Sequence, residues 1–235
     1  MLRYSIALIL LGIPFIPTTA QEKGAVVTGS RGMVVCVSPE AADAGLAVLK
    51  QGGSAVDASV AVAFVMAVTY PAAGNIGGGG FMLVHPATGT PTVFEYRETA
   101  PASVKVDTFA KTTDWRDHKA SGVPGTVRGL ELAHKKFGKL AWKDLVLPAV
   151  KLAEDGFVLD TPMVKSLNDA MKGKGGSDEF RKLFGKDGGW KLGDRLIQKD
   201  LAKSLRLIAE KGSDAFYTGE LADLLVAEMK AGNGF

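Results

Sequence analysis

Arg97 is the residue with the clearest capacity for chemistry. It follows the apolar and aromatic run Thr92–Tyr96, and Glu98 comes directly after it. Its guanidinium is permanently charged and offers a rigid fork of donors that matches a carboxylate. An arginine where a strand gives way to a loop can aim that fork at a ligand. The residues alone leave two interpretations open, namely carboxylate binding and the commoner role of a surface charge in a structural ion pair.

Four consecutive glycines, Gly77–Gly80, precede the short apolar run Phe81–Val84. A phosphate-binding loop would need Lys-Ser or Lys-Thr after its last glycine, and neither follows here. A dinucleotide-binding fingerprint follows a strand and opens a helix, whereas these glycines follow a helical pattern and precede a strand. We therefore interpret the glycines as a passage where the backbone runs close to another element.

The other reactive side chains form no recognisable catalytic or metal pattern. His85, His118 and His134 are far apart, and no pair has metal-site spacing. The lone cysteine, Cys36, lies in an apolar run without a nearby histidine, which favours a small buried hydrophobe. No G-x-S-x-G sequence occurs, and Ser121–Gly125 is more typical of a turn. Spacing alone leaves a Ser-His-Asp triad open, because triads assemble in space.

Composition bounds the class of protein. The chain has 235 residues, of which 46% are hydrophobic, enough for a sizeable core in one large domain or two small ones. Its 28 basic and 25 acidic residues are spread out and leave a net charge of +3. No basic cluster with interleaved aromatic residues is present, so we expect no nucleic-acid partner.

Residues 1–20 have the pattern of a secretory signal peptide. A basic Arg3 precedes the apolar run Ile6–Ile13, and the small residues Thr18–Ala20 form a cleavage site before Gln21. The apolar run is shorter than the ~20 residues of a membrane span, which disfavours an uncleaved anchor. We expect a periplasmic or secreted protein comprising residues 21–235, with no stable membrane span after cleavage.

The elements that must position Arg97 can be predicted from periodicity and capping. We expect a strand at residues 33–37, a helix opened by Ser38, and a second helix at Ala55–Thr69. The second helix is apolar nearly all round, which predicts a place in the core of a layered structure. The runs Phe81–Val84 and Thr92–Tyr96 then form a hairpin. Beyond Thr161 the pattern is mainly helical.

Four segments, in the same order, strongly resemble the gamma-glutamyltransferase (glutathione hydrolase) family: Gly74–Met82, Tyr96–Pro101, Ser121–Val127 and Ala149–Phe157. The similarity is collinear from about Gly32 onward. It implies a mixed α/β fold, the αββα sandwich of an N-terminal nucleophile hydrolase. It also implies a precursor that cuts itself into a large and a small subunit.

The resemblance further implies chemistry without a metal or organic cofactor. The new N-terminal threonine of the small subunit is the nucleophile, with its own amino group as base. It attacks a γ-glutamyl amide such as glutathione, and water, an amino acid or a peptide resolves the acyl-enzyme. Arg97 matches the family arginine that binds the α-carboxylate of the γ-glutamyl group. Glu98 is a candidate for holding that arginine, or for pairing with another surface group.

The chain departs from the family in one respect. The Thr-x-His-x-[Ser/Thr] signature of the small subunit does not occur in it. We therefore expect residues 21–235 to be the N-terminal part of a large subunit, with no catalytic residue of their own and no activity alone. Such a part would lack much of the central sheet and leave apolar faces uncovered.

Two alternatives stay open. One is a related N-terminal nucleophile amidase, of the cephalosporin acylase or polyglutamate hydrolase type, because the small subunit decides the substrate. The other is a non-catalytic, truncated secreted protein that binds γ-glutamyl compounds. Half of a layered sandwich is a poor independent folding unit, which counts against the second alternative.

Overall fold

The computed structural model describes residues 26–110, 118–173 and 178–235. The chain divides into two units, Met1–Arg31 and Gly32–Phe235. The predicted signal peptide lies outside the described residues. The described part of the first unit, residues 26–31, contains no helix or strand. The second unit contains all the helices and strands of the described residues.

Two helices open the second unit as predicted. Helix α1 spans Pro39–Lys50, and the Ser38 side chain caps it by accepting a hydrogen bond from the Ala41 N–H. Helix α2 spans Ala55–Thr69 and begins with a capping box, in which Ser54 and Asp57 each bond the backbone N–H of the other. Most of α2 is buried, as expected for a helix that is apolar all round.

Asp57 has a second role that its capping position did not reveal. Its side chain is completely buried. Besides the Ser54 N–H at 2.7 Å, its carboxylate accepts hydrogen bonds from the Lys139 N–H, at 2.9 and 3.1 Å, and from the Leu140 N–H at 3.4 Å. One carboxylate therefore ties the start of α2 to a loop more than eighty residues away, and these bonds offset the cost of burying its charge.

The predicted hairpin is confirmed. Strand β1 spans Phe81–Val84 and strand β2 spans Thr92–Glu95, and they pair antiparallel with Phe81 opposite Glu95. Alternation places Met82, Val84 and Phe94 against the core. The opposite face exposes three large apolar side chains, Phe81, Leu83 and Val93.

The predicted strand at residues 33–37 is wrong. The segment has no regular secondary structure, although its side chains alternate between exposed and half-buried. Val35 is 84% exposed and Val37 is 66% exposed, while Cys36 packs against the core. The alternation is that of a strand, but within the described residues no neighbouring strand pairs with it, so no ladder forms.

The rest of the unit is mainly helical, and the helical pattern predicted beyond Thr161 is confirmed. A 3₁₀ turn spans His118–Ala120. The remaining elements, in chain order, are α3 Thr126–Phe137, α4 Trp142–Asp155, β3 Phe157–Val158, α5 Thr161–Lys172, α6 Asp178–Phe184, β4 Arg195–Leu196, α7 Lys199–Lys211, α8 Asp214–Tyr217 and α9 Glu220–Ala231. Strands β3 and β4 pair antiparallel.

The core forms where α4 packs against both α2 and α7. Fully buried apolar side chains meet there, among them Phe64, Leu145 and Leu205. Trp142 stacks edge-on against Phe64, with ring centroids 5.4 Å apart, and its indole N–H donates to the Ile208 carbonyl at 2.9 Å. None of the helices in the described ranges has the length and apolar character needed to cross a membrane.

Candidate functional site

Arg97 lies two residues beyond the end of β2. The strand pairing continues one step past β2, because the Tyr96 N–H donates to the Gly80 carbonyl at 3.0 Å and the Gly80 N–H donates to the Tyr96 carbonyl at 3.3 Å. The Arg97 side chain is 60% exposed. Its position at the end of a paired strand fixes its backbone while its guanidinium faces solvent.

The guanidinium of Arg97 is only partly engaged. Its Nε donates to a Glu98 carboxylate oxygen at 3.1 Å, and its carbon lies 6.0 Å from the centroid of the Phe81 ring. Within the part of the chain that the structure describes, its two terminal nitrogens have no hydrogen-bond or ion-pair partner. Those nitrogens are therefore available to a carboxylate in the bidentate geometry that arginine favours.

Glu98 is charged and close enough to orient the arginine. Its own backbone N–H and the Arg97 guanidinium hold the pKa of its carboxyl below the ordinary value. The carboxylate accepts from Nε, so the opposite edge of the guanidinium stays open. This arrangement fits the supporting role that the resemblance suggests for Glu98.

The glycine run passes directly against the backbone that carries Arg97. A Cβ atom on Gly79 would lie 2.5 Å from the Tyr96 carbonyl oxygen, 2.7 Å from the Glu98 nitrogen and 2.8 Å from the Arg97 Cα. A side chain of any size would therefore push backbone apart. The prediction of a close approach to another element is confirmed for Gly79 and Gly80, whereas a Cβ on Gly77 would meet nothing within 4 Å.

The segment Ser121–Gly125 lies beside the same backbone. Thr99 and Val123 exchange backbone hydrogen bonds at 3.2 and 2.8 Å. The N–H groups of Gly125 and Thr126 both donate to the Gly78 carbonyl, at 2.7 and 3.0 Å. These bonds join the glycine run, the loop after Arg97 and the start of α3 into one cluster.

Helix α3 approaches Tyr96 through Gly125, the last residue of the predicted turn, and through Gly129, which was not predicted from the sequence. A Cβ on Gly125 would lie 2.2 Å from the Tyr96 carbonyl oxygen, and one on Gly129 would lie 2.1 Å from the Tyr96 Cγ. Burial raises the pKa of the Tyr96 phenol. The available signal was the four-residue spacing of the two glycines, which places both on one face of a helix.

The three histidines lie in different places: His85 follows β1, His118 is in the 3₁₀ turn, and His134 is on α3. His118 contacts Glu228 at 2.9 Å, and His134 contacts the Leu140 carbonyl at 2.8 Å. Among the described residues no group of three or more histidine, cysteine or acidic side chains is arranged to hold a metal ion. The candidate site is therefore the cluster around Arg97.

Comparison with known proteins identifies the family. The family model described as gamma-glutamyltranspeptidase matches residues 41–235. The chain belongs to the gamma-glutamyltranspeptidase family. It is 44% identical over 219 residues to a glutathione hydrolase proenzyme of Pseudomonas sp. (strain A14), and 42% identical over 221 residues to that of Escherichia coli (strain K12).

Solved structures agree on the fold. Gamma-glutamyltranspeptidase from Pseudomonas nitroreducens matches with a TM-score of 0.80 at 42% identity, over 88% of this chain and 63% of that one. The Helicobacter pylori gamma-glutamyltranspeptidase matches with a TM-score of 0.83 at 36% identity. That match covers 90% of this chain and 63% of the Helicobacter pylori chain. Cephalosporin acylase from Bacillus halodurans matches with a TM-score of 0.76 at 27% identity. That match covers 91% of this chain and 44% of the acylase chain. The fold is therefore that of part of an N-terminal nucleophile hydrolase.

The chain is shorter than these relatives. Each of the two curated proenzymes matches 88% of this chain. The matched region makes up only 38% of the Pseudomonas proenzyme and 37% of the Escherichia coli proenzyme. The two-stranded sheets of the described residues are correspondingly small. The chain therefore corresponds to less than half the length of these two relatives.

Proposed function

We propose that this chain is the N-terminal part of the large subunit of a gamma-glutamyltransferase (glutathione hydrolase), and that Arg97 binds the α-carboxylate of the γ-glutamyl group. The observation that carries the proposal is the guanidinium of Arg97, exposed at the end of a paired strand with its terminal nitrogens open. Membership of the family and the glutathione hydrolase proenzymes among its relatives support the substrate class.

In the proposed reaction this chain binds and orients the substrate. The threonine oxygen of the small subunit attacks the γ-carbonyl carbon, and the threonine amino group takes the hydroxyl proton. The C–N bond breaks, the amine leaves with a proton, and a γ-glutamyl ester remains for water or an amino acid to attack. Arg97 contributes by holding the far end of the γ-glutamyl group, which places its carbonyl near the nucleophile.

The uncovered apolar surface supports a small subunit from the same precursor as partner. Phe81 is 59%, Leu83 70% and Val93 61% exposed on one face of the hairpin. A monomeric protein rarely exposes such a contiguous apolar face. We propose that the remaining sheet of the αββα sandwich covers it. The predicted signal peptide supports export of the precursor to the periplasm or the medium.

Two related activities are the alternatives. The Bacillus anthracis transpeptidase CapD matches with a TM-score of 0.72 at 34% identity, and the cephalosporin acylase matches at 27% identity. Both are less similar in sequence than the two gamma-glutamyltranspeptidases described above. A non-catalytic binding protein is the third possibility, and it would bind γ-glutamyl compounds without cleaving them.

The test uses the complete precursor and the variant Arg97→Ala. The wild type should cleave L-γ-glutamyl-p-nitroanilide, and the variant should raise its KM by about 10- to 100-fold, since a charged hydrogen-bonded pair contributes about 1.5–3 kcal/mol. Arg97→Lys should recover only part of the loss, because an ammonium cannot make the bidentate contact. Arg206→Ala is the matched control: Arg206 is also exposed and bonds a carboxylate, that of Glu154.

Two further substrates separate the alternatives. With 4-aminobutyryl-p-nitroanilide, which lacks the α-carboxylate, wild type and Arg97→Ala should have equal KM values. A preference for glutaryl-p-nitroanilide, which lacks the amino group, would indicate the acylase. Tight glutathione binding without cleavage would indicate the binding protein. An unchanged KM for the γ-glutamyl substrate in Arg97→Ala would refute the proposed role of Arg97.

A further inference from the structure

Four glycines enclose the backbone and side chain of the residue before Arg97. We call Gly79, Gly80, Gly125 and Gly129 the glycine seat. Gly79 approaches the backbone of residues 96–98 from the glycine run, and Gly125 approaches the Tyr96 carbonyl from the start of α3. Both contacts are with backbone atoms, which cannot move aside as a flexible side chain can.

The glycine seat also fixes the Tyr96 ring. A Cβ on Gly129 would overlap the ring at Cγ, 2.1 Å away, and a Cβ on Gly80 would lie 3.1 Å from Cε2. The Tyr96 hydroxyl donates to the Phe81 carbonyl at 3.4 Å. The ring is thus held between β1 and α3, and it anchors the strand end from which Arg97 projects.

Two side chains of helix α3, Arg128 and Glu131, bond to the segment that carries Ser213 and Asp214. The Arg128 guanidinium donates to the Ser213 hydroxyl at 2.6 Å and to an Asp214 carboxylate oxygen at 2.9 Å. The Glu131 carboxylate accepts from the Ser213 N–H at 2.9 Å and from its hydroxyl at 2.7 Å. These hydrogen bonds tie the helix that carries Gly129 to residues 213 and 214.

We infer that the glycine seat positions Arg97 for the substrate carboxylate, with Gly79 and Gly129 as positioning residues that touch no substrate themselves. A Cβ at Gly79 must displace the backbone at Arg97, and a displacement of about 1 Å is enough to weaken a positioned contact strongly. This inference rests on the proposed role of Arg97, and it extends that role to residues on two other segments of the chain.

The test is a graded alanine series within one glycine run, in the complete precursor. Gly77→Ala is the matched control, because a Cβ there meets nothing within 4 Å. Gly80→Ala brings a Cβ to 3.1 Å from the Tyr96 ring, and Gly79→Ala brings one to 2.5 Å from backbone. The KM for L-γ-glutamyl-p-nitroanilide should rise at least about tenfold in Gly79→Ala and two- to fivefold in Gly80→Ala, and stay within twofold in Gly77→Ala.

The substrate without the α-carboxylate separates positioning from general damage. With 4-aminobutyryl-p-nitroanilide the KM of Gly79→Ala should equal that of wild type, whereas a merely structural defect would affect both substrates or only the yield. If Gly79→Ala does not fold, Gly80→Ala decides: a raised KM supports the inference, and a KM equal to that of Gly77→Ala overturns it.

Arg97→Ala in the same series tells the two claims apart. If Arg97→Ala leaves the KM for the γ-glutamyl substrate unchanged, the proposed function of Arg97 fails. If Arg97→Ala raises that KM while Gly79→Ala and Gly80→Ala match Gly77→Ala, the glycine seat has no positioning role and the inference alone fails.

Discussion

The helical core and the cluster around Arg97 are stabilised in different ways. In the core, apolar side chains from α2, α4 and α7 interdigitate, and residues such as Leu205 are completely buried. Around Arg97, the glycines Gly79 and Gly125 lie directly against the backbone of residues 96–98, and the Arg97 side chain is exposed. The core can therefore tolerate a change of side-chain shape at a cost in stability, whereas the cluster around Arg97 tolerates almost no added atom next to its backbone.

The largest expected difference between the two regions is in how a substitution changes the free energy of unfolding. Leu205→Ala removes a fully buried side chain between α7 and its neighbours and should lower the free energy of unfolding by about 3 kcal/mol. The KM for a γ-glutamyl substrate should stay within twofold, because Arg97 is held by other contacts. Urea unfolding and steady-state kinetics measure the two quantities.

Leu183→Ala is the control for that experiment, because Leu183 is 60% exposed on α6. It should change stability by less than about 0.5 kcal/mol. A tenfold rise in KM in Leu205→Ala would show that the two regions are not independent.

A second expected effect is a loss of stability in acid, and it depends on Glu131, which bonds α3 to Ser213. Burial raises the pKa of Glu131, but the hydrogen bonds from Lys135 and from the Ser213 N–H and hydroxyl outweigh it and lower the pKa from 4.5 to about 2. A carboxyl with a lowered folded-state pKa stabilises the fold above its ordinary value and loses that contribution as the pH falls toward the folded-state value.

Stability should therefore decline between about pH 4.5 and pH 2 by up to about 3 kcal/mol from this group, at 1.36 kcal/mol for each pKa unit. The measurement is the free energy of unfolding as a function of pH. Glu131→Gln should be less stable at neutral pH and show a shallower acid decline. Equal slopes for wild type and Glu131→Gln would contradict the role of this carboxylate.

The smallest effect concerns Glu98. Glu98→Gln keeps the size of the side chain and removes the charge that faces the Arg97 Nε. If Glu98 orients the guanidinium, the KM for a γ-glutamyl substrate should rise about two- to fivefold, which corresponds to about 0.4–1 kcal/mol. This is less than the effect of Arg97→Ala. An unchanged KM would assign Glu98 to a surface ion pair only.

Sequence reasoning succeeded where the signal is local. The apolar pattern and capping box of Ala55–Thr69 define a helix by themselves, and two short apolar runs joined by a turn-rich loop define the hairpin. It failed at residues 33–37, because a strand depends on a partner and the described residues contain none for that segment. The second role of Asp57 was also missed, since its long-range bonds to residues 139 and 140 leave no trace in local spacing.

The candidate site could be predicted only in part. Arg97 stands out as a charge at a strand end, and the glycine run stands out by composition. What each glycine packs against depends on the tertiary fold, so Gly125 and Gly129 gave only a weak spacing signal. The proposed substrate class rests on the family resemblance, which four segments matching in the same order carry, and not on any single residue.

The most direct test of the central claim is a crystal structure of the complete protein with L-glutamate bound. If Arg97 binds the substrate, both α-carboxylate oxygens should lie about 3 Å from the guanidinium nitrogens of Arg97, with the Nε–Glu98 contact retained. A bound glutamate whose α-carboxylate lies on other residues, with Arg97 still facing solvent, would contradict it.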